Sequence, residues 1–172
     1  MKKNIFRGLV AAAALIFIQS TGAFAQTEAA KGHATRLSAA LGIGVPTKSG
    51  GPDIFLAPDL RLQHDLGERT SLTLTTGYYG PIGGNTSFGD GLIPLKAGAK
   101  FFFGDTYYVQ PEVGIGFSTV KNGGNPFIYA PSIGYANNKW DIALRYEGFE
   151  YEVGGSGMVA VRLAYAFKRP SK

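Results

Sequence analysis

Trp140-Asp141-Ile142-Ala143-Leu144-Arg145-Tyr146-Glu147 reads as two interleaved sequences. Even positions hold Trp, Ile, Leu and Tyr; odd positions hold Asp, Ala, Arg and Glu. Successive side chains of a strand point to opposite faces, so this stretch is a strand with one apolar face and one charged face.

Outward from it the same alternation recurs over 35–46, 53–63, 70–80, 91–103, 107–120, 127–136, 139–151 and 158–168, which makes eight strands. Most are longer than the five or six residues usual in soluble sheets. A tilted strand needs about 9–11 residues to cross hydrocarbon, and these reach that length. The connections 64–69, 104–106 and 137–138 are short or compact. Those at 47–52, 81–90, 121–126 and 152–157 are rich in glycine and mostly longer. Short turns at one end and long loops at the other match the periplasmic and extracellular sides of an outer-membrane barrel.

Alternation alone permits two closed barrels: a soluble one with the apolar face inward, and a membrane one with it outward. Volume decides between them. An eight-stranded barrel encloses only enough space for its own side chains or one small ligand. The apolar set includes Leu41, Ile43, Phe101, Phe103, Trp140, Leu144, Tyr165 and Phe167, and would overfill that space. The opposite face carries Arg36, Asp59, Arg61, Gln63, Lys96, Lys100, Glu112, Asp141, Arg145, Glu147 and Arg162, interspersed with glycines that leave room for long side chains. Aromatic residues gather toward both strand ends, as bilayer interfaces select. The expected fold is therefore all-β, an eight-stranded antiparallel up-and-down transmembrane β-barrel.

The first residues fit a secretory signal. Lys2, Lys3 and Arg7 precede the apolar run Leu9–Ile18, and Ala23-Phe24-Ala25 forms a small-x-small cleavage site. The expected divisions are a signal peptide over 1–25, a short periplasmic segment over 26–34, the barrel over 35–168 and a tail over 169–172. Of 17 basic residues those three leave with the signal, so 14 remain against 12 acidic ones. The basic balance is then modest, and no basic run with interleaved aromatics marks a nucleic-acid footprint. Cysteine is absent, which excludes disulfides and thiolate chemistry. After the signal no apolar stretch approaches 18 residues, so a membrane role needs a barrel.

Pro58, Pro94, Pro111 and Pro131 lie within strands. A closed barrel has no edge to hide a missing donor, so bulges are expected at these positions.

The last strand, Val159-Ala160-Val161-Arg162-Leu163-Ala164-Tyr165-Ala166-Phe167, is similar to the C-terminal strand of outer-membrane barrels, which ends aromatic-x-aromatic, here Tyr165 and Phe167. Ile93–Phe103 (IPLKAGAKFFF) followed by Gln110-Pro111-Glu112-Val113-Gly114 resembles the outer-membrane β-barrel domain family of Bacteroidetes-type bacteria. That family is related in architecture to outer membrane protein X and the membrane domain of outer membrane protein A. The resemblance implies an outer-membrane location, assembly by the barrel-assembly machinery, contact with outer-membrane lipid and lipopolysaccharide, and often no assigned chemistry.

Catalytic, cofactor and metal sites are not expected. His33 and His64 are the only histidines and fall at predicted periplasmic strand ends, where a solvated polar rim is the simpler reading. Lipid A acyltransferases and deacylases of similar shape use a histidine with a serine at the outer end, and no His-x-Ser pair occurs here. The 80–91 loop lacks the Lys-Ser/Thr of a phosphate-binding loop. The expected protein is a monomeric integral outer-membrane barrel with a structural or surface-interaction role and no open pore. Alternatives are a barrel that binds a hydrophobic small molecule or lipid chain in its outer half, a lipid A-modifying enzyme, or a soluble periplasmic barrel.

Two interior features are expected. Lys96, Lys100, Glu112, Asp141, Arg145 and Arg162 should form a charge network. If the 104–106 turn sets the register, Phe103 faces Tyr107 and Lys96 faces Gly114, so both lysines bracket Glu112. A register of the same kind lets Arg162 lie between Asp141 and Arg145. Small residues including Gly42, Gly77, Gly114, Gly116 and Ala130 line the outer half. Phe55, Tyr79, Phe149 and Met158 are the residues able to fold in and fill it; otherwise it is a ligand pocket.

Overall fold

The computed structural model describes residues 34–167. The signal peptide, residues 26–33 with His33, Lys168 and the 169–172 tail lie outside the described residues.

Eleven hydrogen-bonded segments form eight staves. They are β1 (Thr35–Pro46), β2 (Ile54–Asp65), β3 (Thr70–Gly77), β4 (Gly80–Ile82), β5 (Leu92–Phe103), β6 (Tyr107–Gln110), β7 (Glu112–Ser118), β8 (Phe127–Tyr129), β9 (Ser132–Ala136), β10 (Trp140–Glu150) and β11 (Gly155–Ala166). β3 with β4, β6 with β7, and β8 with β9 each make one stave. Every pairing is antiparallel, and β11 pairs with both β10 and β1, so the sheet closes. The fold is the eight-stranded antiparallel barrel expected from the alternation.

The proline positions differ from expectation. Phe101 faces Val109 and Gly98 faces Glu112, one unchanged register on either side of Pro111. The registers also hold past Pro58 and Pro131. No bulge is needed there, because Pro58, Pro111 and Pro131 each still accept a ladder bond, and the bulge expected at Pro94 is absent too, since one register runs from Thr76–Leu95 to Tyr79–Leu92. Tyr78 N–H donates to Pro58 at 2.9 Å, Ala99 N–H to Pro111 at 3.2 Å and Tyr146 N–H to Pro131 at 3.0 Å. Only the return donor is lost, which divides β6 from β7 at Pro111, β8 from β9 at Pro131 and β3 from β4 opposite Pro58, without shifting the register.

The last stave also starts earlier than the sequence implies. Gly155–Gly157 pair with Gly148–Glu150, so the final connection is the tight turn 151–154, with Gly154 at φ +79°. A Gly-Ser-Gly run carries no apolar alternation from which a strand could be read.

Burial settles which face is out. Leu144, Ile133 and Val161 are 52%, 58% and 55% exposed, whereas Lys96, Arg61 and Glu112 are at most 1% exposed. The barrel is apolar outside and charged inside, which excludes the soluble, apolar-core alternative. Aromatic rings meet near the turn end, with Tyr107 on Tyr135 at 5.5 Å and Trp140 on Tyr165 at 5.2 Å between centroids. Near the loop end Tyr129 lies 5.9 Å from Tyr146.

Candidate functional site

The interior is a plug of charges drawn from five staves. Glu112 on β7 sits at its centre, 3.1 Å from Arg61, 3.6 Å from Arg145 and 4.0 Å from Lys96. The Thr75 hydroxyl donates to it at 2.7 Å. Toward the loop end, Glu147 accepts from Lys96 and Arg145, each at 2.9 Å, and from the Tyr79 hydroxyl at 2.5 Å. Toward the turn end, Asp141 accepts from Lys100 at 2.6 Å and lies 3.8 Å from Arg162 and 3.9 Å from Arg61. Arg162 closes the ring on Asp59 through two bonds of 2.6 and 2.7 Å. Charges taken out of water are tolerable only when paired and hydrogen-bonded, and every one of these has a partner of opposite sign.

The six charges expected to meet are brought into this one network, with differences in pairing. Lys96 faces Gly114 as the turn register requires, and Arg162 stands opposite Ala143, diagonal to Asp141 and Arg145. Lys100 does not bracket Glu112; it crosses the lumen to Asp141, over the ring of Tyr108 at 4.0 Å from the centroid. Arg162 gives its two strongest bonds to Asp59. Hairpin register fixes neighbours along the wall, whereas a long side chain in a narrow barrel chooses among residues on every stave. Sequence reading overlooked Tyr108, Thr73 and Gln110 as members, all buried and all on the inward parity. Their neutral polarity hid them; the parity of Lys100 and Glu112 would have found them.

The five small residues expected around a pocket surround a filled interior instead. Tyr79, Leu92, Ile128, Phe149 and Met158 pack into one apolar cluster in the loop-side half. A Cβ on Gly44 would come within 2.9 Å of the Met158 sulfur, and one on Gly116 within 2.5 Å of Leu92. At Gly77 and Gly114 the obstacle is backbone: their Cβ atoms would stand 2.3 Å from the Pro58 carbonyl and 2.1 Å from that of Leu95. Gly42 lies against Ala57, and Ala130 is fully buried. The inner space is closed at Gly116 by the Leu92 side chain, and at Gly42, Gly77 and Gly114 by the close approach of the neighbouring staves themselves.

Open volume lies at the two mouths. At the loop end, two adjoining cavities of about 320 and 240 Å³ share Pro52, Phe55, Phe149 and Ser156. Tyr79, Leu92 and Phe149 separate them from the charges below. At the turn end, a polar cavity of about 360 Å³ is lined by Arg36, Asp65, Lys100 and Asp141 among others. Arg36 pairs with Asp65 there at 2.8 Å, and His64 bonds Thr35 at 2.8 Å.

No model of a known protein family matches the chain, and no curated protein matches it. Solved structures do match in fold. Ail, the attachment invasion locus protein of Yersinia pestis, is 12% identical with a TM-score of 0.56, covering 80% of this chain and 100% of its own. Ail is also known in complex with the heparin analogue sucrose octasulfate. The N-terminal barrel of Pseudomonas aeruginosa OprF is 10% identical, with a TM-score of 0.53 over 80% of this chain and 100% of that one. Neisserial surface protein A is 15% identical, with a TM-score of 0.52 over 81% and 100%. In fold, this chain is similar to the small eight-stranded barrels of Gram-negative outer membranes.

Proposed function

We propose that this protein is an integral outer-membrane barrel without an open pore, serving a structural or surface-interaction role and no enzymatic one. The observation that carries this reading is the inverted polarity: an apolar exterior around a lumen sealed by ion pairs. Such a surface is stable in lipid and insoluble in water. The loop end then faces the outside and the turn end the periplasm. The signal at 1–25 supports export, and Tyr165 with Phe167 supports delivery to the barrel-assembly machinery. The exterior contacts lipid and lipopolysaccharide as a monomer, since a closed barrel leaves no edge to pair. The stretches 93–103 and 110–114 favour the Bacteroidetes-type group.

A sulfated polyanion of the kind bound by Ail does not suit this surface. The loop end carries Asp53, Asp90, Glu150 and Glu152 against Lys48 and Lys121.

Purified outer membranes provide the test. The protein is expected in that fraction, migrating faster unheated than boiled, because a closed barrel resists detergent until heated. Recovery of the wild type as a folded, detergent-free soluble protein would overturn the reading.

A further inference from the structure

We propose that the loop-end cup is a binding site for a small ring-bearing molecule that is neutral or cationic. The proposal rests on the reading that this end faces the outside. At about 320 Å³ the larger cavity falls within the roughly 300–1,000 Å³ range of small-molecule pockets.

Its floor is apolar, from Phe55, Tyr79, Leu92 and Phe149. Two of its rings are also held in place. The Tyr79 hydroxyl is held from below by Lys96 at 2.7 Å and Glu147 at 2.5 Å, and its ring meets Phe149 edge-on at 5.9 Å. One wall is tied down in the same way: the Thr119 hydroxyl shares its one proton between the carbonyls of Gly89 and Gly91, at 2.7 and 2.9 Å, and accepts the Gly91 N–H at 2.9 Å. A site formed in advance avoids ordering costs on binding. This favours a rigid ring over a long flexible chain.

Charge sets the remaining class. Asp90 is the one charged residue lining the larger cavity. In the smaller cavity the Lys48 ammonium is engaged with the Gly155 carbonyl. A phosphate or carboxylate would therefore meet a carboxylate and an apolar floor. A cation would meet Asp90 at the rim and aromatic rings below, an arrangement that attracts ammonium groups.

The test compares benzylammonium, benzyl alcohol and benzoate against the full barrel in bilayer nanodiscs, read by the amide shifts of Gly91 and Gly123. Benzylammonium should bind about three- to tenfold more tightly than the alcohol, the range an exposed ion pair and a cation–π contact supply. Benzoate should bind most weakly. Asp90→Asn should erase the ammonium advantage and leave the alcohol unchanged. Ser156→Phe, at one of the residues both cavities share, should abolish binding of all three. Should Ser156→Phe fail to fold, Val120→Arg on the exposed rim should weaken benzylammonium alone. Equal binding of benzoate and benzylammonium, or shifts spread over the lipid-facing staves, would overturn the proposal. Heat-modifiable migration of the same sample separates the two readings: a folded barrel without binding removes the cup, whereas an unfolded one removes the barrel.

Discussion

Arg162 reaches over β1 to grip Asp59, with Nη2 2.6 Å from Oδ1 and Nε 2.7 Å from Oδ2. The stave between them makes this possible. Arg162 stands opposite Gly42, and Asp59 stands opposite Ala40. A larger inward side chain on β1 would occupy the path of the guanidinium. The pair also staples the closing seam of the barrel, since β1 and β11 are the first and last staves.

Asp59→Asn should lower stability by about 3–5 kcal/mol, because it leaves a buried guanidinium without its carboxylate. Asp59→Leu combined with Arg162→Met should recover most of that loss, since apolar replacements of a buried pair are often neutral. Urea unfolding in lipid vesicles measures both. A single variant as stable as wild type would show that the pair contributes little.

The outer face makes a second prediction. Leu144 is mid-stave and 52% exposed, so Leu144→Arg should cost about 2–4 kcal/mol in a bilayer. Phe103 lies beside the 104–106 turn, where a new arginine reaches the interface and should cost about 0–1 kcal/mol. Equal costs at the two sites would contradict a hydrocarbon belt between them.

Planar bilayer recordings address the plug. With Glu112 held by three cations and Glu147 by two, the wild type should show no large, steady open state. Sustained conductance of porin size would refute the sealed lumen.

Two glycines on one segment should respond differently. A Cβ at Gly114 meets the Leu95 carbonyl and the Lys96 Cα, which cannot move without breaking the ladder. At Gly116 the nearest atoms all belong to the Leu92 side chain, which can shift at less cost than backbone. Gly114→Ala should therefore lose roughly 1–3 kcal/mol, as overpacking does, and Gly116→Ala distinctly less. Unfolding midpoints of the two variants decide this, and reversal of their order would contradict the close backbone approach.

Much of this architecture was legible in the chain because it is local. Period-two alternation marks each stave, and the 104–106 turn alone sets Phe103 against Tyr107 and Gly98 against Glu112. Interior volume, estimated from residue sizes, was enough to turn the apolar face outward. Other features depended on contacts among residues far apart in sequence. Lys100 bonds Asp141 and not Glu112 because the lumen is narrow enough for a lysine to cross it. Pro58, Pro111 and Pro131 keep register because strands on both sides hold each stave in place; an isolated hairpin provides no such restraint. The filled interior and the cup above it follow from Tyr79, Leu92, Phe149 and Met158 converging from separate staves. Alternation tells which side of the wall a residue occupies. Only closure of the wall decides which residue it meets across the lumen.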